Sequence, residues 1–248
     1  MTNRTIRAFR IVVAAALLAA CSHTNSPSKT PKTETADGAI ASADSATAPS
    51  PSSNAAASAL RDSTSDRADR GRILGDSNAT VWVVMVSDFQ CPFCKQWHDA
   101  AFQQIMKTYV NTGRVRLAFL NMPLSIHRNA VPASEAAMCA SVQGKFWPLH
   151  ESLFATQKQW EQMANPIPAF DSIAKATKVN MEPWRQCMTQ HSVRPLIQAD
   201  HDRASSSHVN STPAFFVGDQ VMAGADANVP AAIEAALAKA KGAKKPGV

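Results

Sequence analysis

This 248-residue chain is short of several things, and each shortage removes a class of function. The apolar run Ile11–Ala20 is ten residues long, whereas a bilayer-spanning helix needs about 20. Residues 22–65 hold no Phe, Trp or Tyr, so that segment cannot bury enough apolar surface to offset the entropy of ordering it. Basic residues form no stripe interleaved with aromatics, which argues against nucleic-acid binding. The formal charge of +6 falls to +3 once the three arginines of the first ten residues are set aside, and the lysines after Lys239 read as a solvated tail. No internal repeat is visible.

The beginning of the chain reads as an address. Arg4, Arg7 and Arg10 stand without an acid before the Ile11–Ala20 run, the layout of a secretion signal. The run ends Leu18-Ala19-Ala20-Cys21, which resembles a bacterial lipobox whose cysteine becomes a lipidated N-terminus. The alternative is an ordinary signal peptide that happens to be followed by Cys21. Residues 1–20 are thus read as a lipoprotein signal, 21–70 as a disordered Ser/Ala/Pro/Thr-rich tether, and 71–248 as the folded domain. A flexible tether of about 50 residues reaches roughly 40 Å.

The most informative stretch is Phe89-Gln90-Cys91-Pro92-Phe93-Cys94-Lys95. It joins an apolar strand, 79–87, expected to be buried on both faces, to an amphipathic helix running from Pro92 to about Asn111. Cys91 then falls at the helix N-cap, and Pro92 at the first helical position, where its missing N–H costs nothing. Orphan N–H groups and the positive end of the helix dipole point at the Cys91 sulfur and favour a thiolate, the species that attacks disulfides.

Five cysteines are present: Cys21, Cys91, Cys94, Cys139 and Cys187. With Cys21 acylated, four remain and make two pairs, which suits an oxidising compartment. A zinc site built on Cys91 and Cys94 would need two further ligands, usually a second close pair. Cys139 and Cys187 are too far apart in sequence to supply one, so no metal is expected. A Cys139–Cys187 bridge would close a loop of about 50 residues, worth up to about 4 kcal/mol in the chain-entropy treatment. The alternative is two buried free thiols packing as small hydrophobes.

Beyond the first helix the pattern predicts a strand at 115–120, a helical region from about 125 to 206, a strand at 214–217, a tight turn at Gly218-Asp219, a second short strand, and an alanine-rich helix from Val229. This is an α/β sheet with an inserted helical subdomain. His98, His127 and His150 read as helix-surface or packing residues, and Trp82, Trp97, Trp147 and Trp184 as core or groove lining.

Three segments, in this order, resemble the DsbA-like branch of the thioredoxin fold: Asp88-Phe89-Gln90-Cys91-Pro92-Phe93-Cys94, Cys139 beside Gln143-Gly144-Lys145-Phe146-Trp147, and Thr212-Pro213-Ala214-Phe215-Phe216 before a hairpin. The resemblance covers about residues 73–241. It implies a thioredoxin core with a helical insert, cofactor-free thiol–disulfide exchange, and a cis Thr212-Pro213 peptide facing Cys91. Only X-Pro bonds reach cis cheaply, and the bend would leave the Thr212 backbone free to pair with an extended substrate. A substrate thiolate would attack an exposed Cys91, with Pro92, Phe93, Thr212 and Pro213 shaping the site. The resemblance further implies reduced exported proteins as substrates and a quinone-linked membrane reoxidase, DsbB-like or vitamin K epoxide reductase-like. Two departures stand out: Phe93 occupies a position where strong oxidants of the branch often carry His, and Met85 one that commonly holds a buried acid. Asp88 is expected to point elsewhere on the strand. The expectation is an oxidant of moderate strength, a monomer, since no N-terminal dimerisation module is visible. The rivals are a reductase or isomerase of the same fold, and a binding protein or holdase whose Cys91–Cys94 bridge is merely structural.

Overall fold

A computed structural model describes residues 63–243. The signal at 1–20, Cys21, the tether up to residue 62 and the last five residues lie outside the described residues. Among the described residues, no helix is long and apolar enough to cross a membrane.

The fold begins earlier than expected. Helix α1, Thr64–Gly71, begins inside the segment assigned to the tether and ends one residue beyond it. Its polar composition hides a capping box: Ser63 Oγ accepts from Asp66 N–H at 3.1 Å, and Asp66 accepts from Ser63 N–H at 3.2 Å. Ala68 is fully buried, and its carbonyl accepts from Ser141 Oγ at 2.6 Å. Residues 63–70, assigned to the tether, are therefore part of the folded domain. Strand β1, Ile73–Leu74, follows and is too short to carry a period-2 signature.

Strand β2, Val81–Ser87, is central in a five-stranded sheet. It runs parallel to β3, Val115–Asn121, with Val83 opposite Leu117 and Met85 opposite Phe119. It runs antiparallel to β4, Ala214–Val217, with Met85 opposite Phe215. β5, Gln220–Ala223, and β1 close the two edges in the order β1-β3-β2-β4-β5. Burial on both faces of β2 holds only from Met85 onward: Trp82 is 36% exposed and is covered by the Arg116 guanidinium, 4.1 Å from its ring centroid.

Helix α2 spans residues 92–110 as contiguous helical stretches. An α-helical turn, Pro92–Trp97, passes into π-type hydrogen bonding over His98–Phe102, returns to α at Gln103–Ile105, and ends in a second π-type stretch, Met106–Val110. The expected helical insert is six helices: α3 Ala130–Ser141, α4 Phe146–Ala155, α5 Gln157–Trp160, α6 Ile167–Ala176, α7 Met181–Gln190 and α8 Arg194–Ser206. Helix α9, Val229–Ala243, covers β2 and β4.

Two devices fix the insert to the sheet. One is an aromatic cluster in which Phe89 stacks on Phe119 at 5.0 Å between centroids and meets Phe154 at 5.2 Å. The other is ionic. Arg72, 3% exposed, pairs with Asp200 on α8 and with Asp69, and donates to the Phe119 carbonyl at 3.1 Å. Asp200 also accepts from Asn121 N–H at 3.1 Å and Asn121 Nδ2 at 2.9 Å. A buried carboxylate so fully satisfied is tolerated, but removing one partner of such a pair costs about 3–5 kcal/mol.

Candidate active site

The loop 88–91 carries the chain from β2 into α2. Cys91 has extended backbone (φ −67°, ψ 124°), caps α2, and its carbonyl accepts from Lys95 N–H at 3.2 Å; Pro92 is the first helical residue. Both sulfurs are free thiols in this structure. Cys91 Sγ donates to the Thr212 carbonyl at 3.4 Å, and the Thr212-Pro213 peptide is cis. Cys139 and Cys187 are bonded to each other, joining α3 to α7.

Cys91 is not exposed as expected. It is 3% accessible, Cys94 is 2%, and the open residues of the motif are Pro92 and Phe93, the latter 60% exposed. The reason is the segment before β4, which lays the Thr212 carbonyl against the sulfur.

The two thiols are driven apart. Cys91 is held at about 6: a hydrogen bond from Cys94 lowers it most, burial opposes, and Thr212 and the N–H groups of Cys94 and Phe93 add to the lowering. The last two are the orphan donors of the helix start. Cys94 is pushed well above the ordinary thiol value by burial and by the neighbouring Cys91. Asp88 N–H donates to Cys94 Sγ at 3.5 Å. The buried Thr212 hydroxyl has no conventional hydrogen-bond partner among the described residues, and as a donor it favours the thiolate of either sulfur.

His127 belongs to the site, which its sequence context did not reveal. It lies in the loop before α3, not on a helix surface, and its Nδ1 meets Asp88 Oδ2 at 2.7 Å. The Asp88 carboxylate is fully buried, lies in the loop just after β2 rather than on the strand, and also accepts from Gln90 N–H at 2.7 Å and Leu124 N–H at 2.9 Å. That hydrogen bond raises the His127 pKa against the effect of burial, and the negative charges of Asp88, Cys91 and Glu161 raise it further. Cys91 is thus coupled to a ring that, when protonated, favours its thiolate, a role Phe93 cannot fill.

Two glutamines clamp the loop to the insert. Gln157 Nε2 on α5 donates to the Phe89 and Cys91 carbonyls at 2.7 and 3.1 Å. Gln90 donates to the Glu161 carbonyl at 2.7 Å and accepts from Asn129 N–H at 2.6 Å. The insert thus sets the backbone from which Cys91 projects. An open groove of about 1240 Å³ between residues 122–126 and α8 is lined by Leu124, Ile126, Ile197 and Val209, but by neither cysteine.

A parallel βαβ unit, a cysteine pair at a helix N-terminus, a cis-proline segment against the first sulfur and a helical insert define a thiol–disulfide oxidoreductase of the thioredoxin fold. The chain belongs to the thioredoxin family, whose description it matches over residues 67–238. It is 29% identical over 153 residues to disulfide bond formation protein D of Bacillus subtilis, covering 60% of this chain and 68% of that one. Among solved structures, oxidised BdbD from Bacillus subtilis superposes with a TM-score of 0.61 at 27% identity, covering 68% of this chain and 94% of the other. Alpha-DsbA1 of Wolbachia pipientis reaches a TM-score of 0.62 at 18% identity over 70% and 94% of the two chains, a likeness of fold alone.

Proposed function

We propose that the chain is a dithiol oxidase that introduces disulfides into exported proteins through Cys91 and Cys94, held at a membrane of the bacterial envelope by a lipid on Cys21. The observation that carries this reading is the asymmetry of the two thiols, one at about 6 and the other well above the ordinary value.

A substrate thiolate attacks Cys91 Sγ of the oxidised pair, the S–S bond breaks, and its electrons go to Cys94 Sγ, which takes up a proton. The product is a substrate–Cys91 mixed disulfide. A second substrate thiolate attacks the substrate sulfur and expels Cys91 as a thiolate, a good leaving group because its pKa is low. The substrate dithiol has become a disulfide, and the enzyme disulfide a dithiol. Thr212 offers backbone for pairing with an extended polypeptide. Phe93, Ile126 and Met163, which are 60%, 81% and 39% exposed, give the neighbourhood an apolar surface suited to unfolded chains. Relatives named for disulfide bond formation support the same reading. Reoxidation falls to a quinone-linked membrane protein, and the oxidase works as a monomer.

Equilibration of the pair with glutathione tests this directly. A reduction potential between about −120 and −200 mV is expected; one at or below about −250 mV makes the protein a reductase. Failure to equilibrate makes the bridge structural.

A further inference from the structure

The redox chemistry makes no use of a second cluster, one turn beyond Cys94. His150, on α4, is fully buried, and neither ring nitrogen has a hydrogen-bond partner among the described residues. Its ring is enclosed by Phe89, Phe102, Phe119, Phe146, Trp147 and Phe154, none of which can accept or donate conventionally except the Trp147 indole, itself unpartnered. Buried polar atoms are nearly always paired, and one left bare calls for an ion or a water. Across the gap stands His98, 8% exposed, whose Nε2 is also bare and lies 3.5 Å from Glu151 Oε2. One donor atom from each of His98, His150 and Glu151 falls within 4.8 Å of the others.

We propose that His98, His150 and Glu151 bind a zinc ion that fastens the active-site helix α2 to the insert helix α4. Three features beyond proximity support the assignment. Two imidazoles and a carboxylate are a donor set that suits zinc and discriminates against calcium or magnesium. His98 Nδ1 faces Asp99 Oδ1 at 3.3 Å, and Lys95 holds Asp99 at 2.9 Å. A carboxylate on the far nitrogen is the usual means of orienting a zinc-bound histidine. His98 is also the first residue of a π-type stretch, an irregularity that often marks a functional position in a helix.

Zinc–nitrogen and zinc–oxygen bonds of about 2.0–2.2 Å put tetrahedral ligand atoms about 3.3 Å apart. The His98–Glu151 pair is already near that separation at 3.5 Å, and all three ligand atoms lie within 4.8 Å of one another. Glu151 is partly exposed, its side chain 37% accessible. It provides the way in for the ion and room for a water as fourth ligand. Gln103 Nε2 donates to Glu151 Oε2 at 3.0 Å and steadies the carboxylate.

The test uses the tag-free chain with Cys21→Ser and with Cys91 and Cys94 closed as a disulfide, so that no thiolate competes. Zinc and cobalt(II) serve as probes. The expected result is one equivalent bound, a cobalt spectrum with four-coordinate d–d bands and no sulfur charge transfer, and a melting temperature that rises with zinc concentration. His98→Asn and Glu151→Gln should each weaken binding at least tenfold and remove the melting shift, while His208→Asn, in the surface turn after α8, leaves both unchanged. His150→Phe keeps the aromatic cluster filled and should abolish binding. The partly exposed Glu151→Gln keeps the test open if a histidine variant does not fold. No stoichiometric binding, or binding indifferent to His98→Asn and Glu151→Gln, overturns the proposal and leaves a bridging water as the occupant.

Discussion

The reduction potential of the Cys91–Cys94 pair should change slope with pH at about 6. Below that value reduction takes up two protons with two electrons, so the potential falls about 59 mV per pH unit. Above it Cys91 stays a thiolate while Cys94, well above the ordinary thiol range, still takes a proton; the fall is then about 30 mV per unit. The same shift sets the oxidising strength. A thiol lowered from about 8.5 to about 6 stabilises the reduced state at pH 7 by about 1.4 kcal/mol, or about 30 mV. A depressed pKa contributes fully above the ordinary value, where it is worth about 3.4 kcal/mol (about 70 mV), and the contribution is lost as pH falls through 6. This is well short of the roughly 90 mV that a thiol near 4 would supply at pH 7, and it sets a moderate oxidant apart from a strong one. The assay is equilibration with glutathione from about pH 5 to about pH 8, with the thiolate followed independently by its ultraviolet absorbance. A Cys94→Ala variant should move the Cys91 titration up by about one unit, because the hydrogen bond from Cys94 lowers it most. A single two-proton slope extending past pH 8 refutes the account, since the helix N–H groups and Thr212 would then not be stabilising a thiolate.

His127→Asn should raise the Cys91 titration by about half to one unit and lower the potential at pH 7 by about 10–20 mV, while Asp88 keeps its bonds to Gln90 and Leu124. An unchanged titration would reduce His127 to a structural contact of Asp88. Because the His127 pKa is raised, the stability its pairing contributes is complete below about pH 6.5 and is lost as pH climbs through the raised value. Replacing Cys139 and Cys187 together by Ala opens a loop of about 50 residues and should cost about 2–4 kcal/mol, read as a lower urea midpoint. The active-site potential should move by less than about 10 mV, and an unaltered midpoint would show that the bridge does not stabilise the fold.

Local pattern and cysteine parity made much of this legible. A strand running into Cys-Pro at a helix start placed Cys91 at its cap, and four cysteines after Cys21 suggested the 139–187 pairing. The helical insert was equally plain, because its apolar periodicity is local. Contacts between residues distant in sequence were not legible. Asp88 and His127 are 39 residues apart, and nothing in either neighbourhood announces that a buried carboxylate awaits an imidazole. Gln157 reads as an ordinary polar helix residue, yet its amide spans two loop carbonyls. Helix α1 was missed for a different reason: its stability comes from a capping box and one buried alanine, and composition registers neither. The burial of Cys91 follows from the Thr212 segment closing over it, more than a hundred residues away.

The two departures noted in the motif have consequences of opposite kind. The group absent at Phe93 has a counterpart outside the motif in His127, whose pKa Cys91 helps to raise, while Cys94, Thr212 and the helix N–H groups hold Cys91 at about 6. The acid absent at Met85 is not replaced. Met85 is buried at 2% exposure, and Asp88 offers Cys94 only its backbone N–H. The other groups acting on Cys94 are the Ser87 and Thr212 hydroxyls, which donate, and Cys91, whose sulfur is occupied in a mixed disulfide. An ordinary thiol is about 3% thiolate at pH 7, and Cys94 lies below that. Attack by Cys94 on the mixed disulfide, the step that would return the substrate reduced, is therefore expected to be slow, which under the proposed oxidase reading leaves the advantage to the substrate's own second thiol. A reductase built on this frame would need a base beside Cys94, so Met85→Glu is the substitution that should speed that return step.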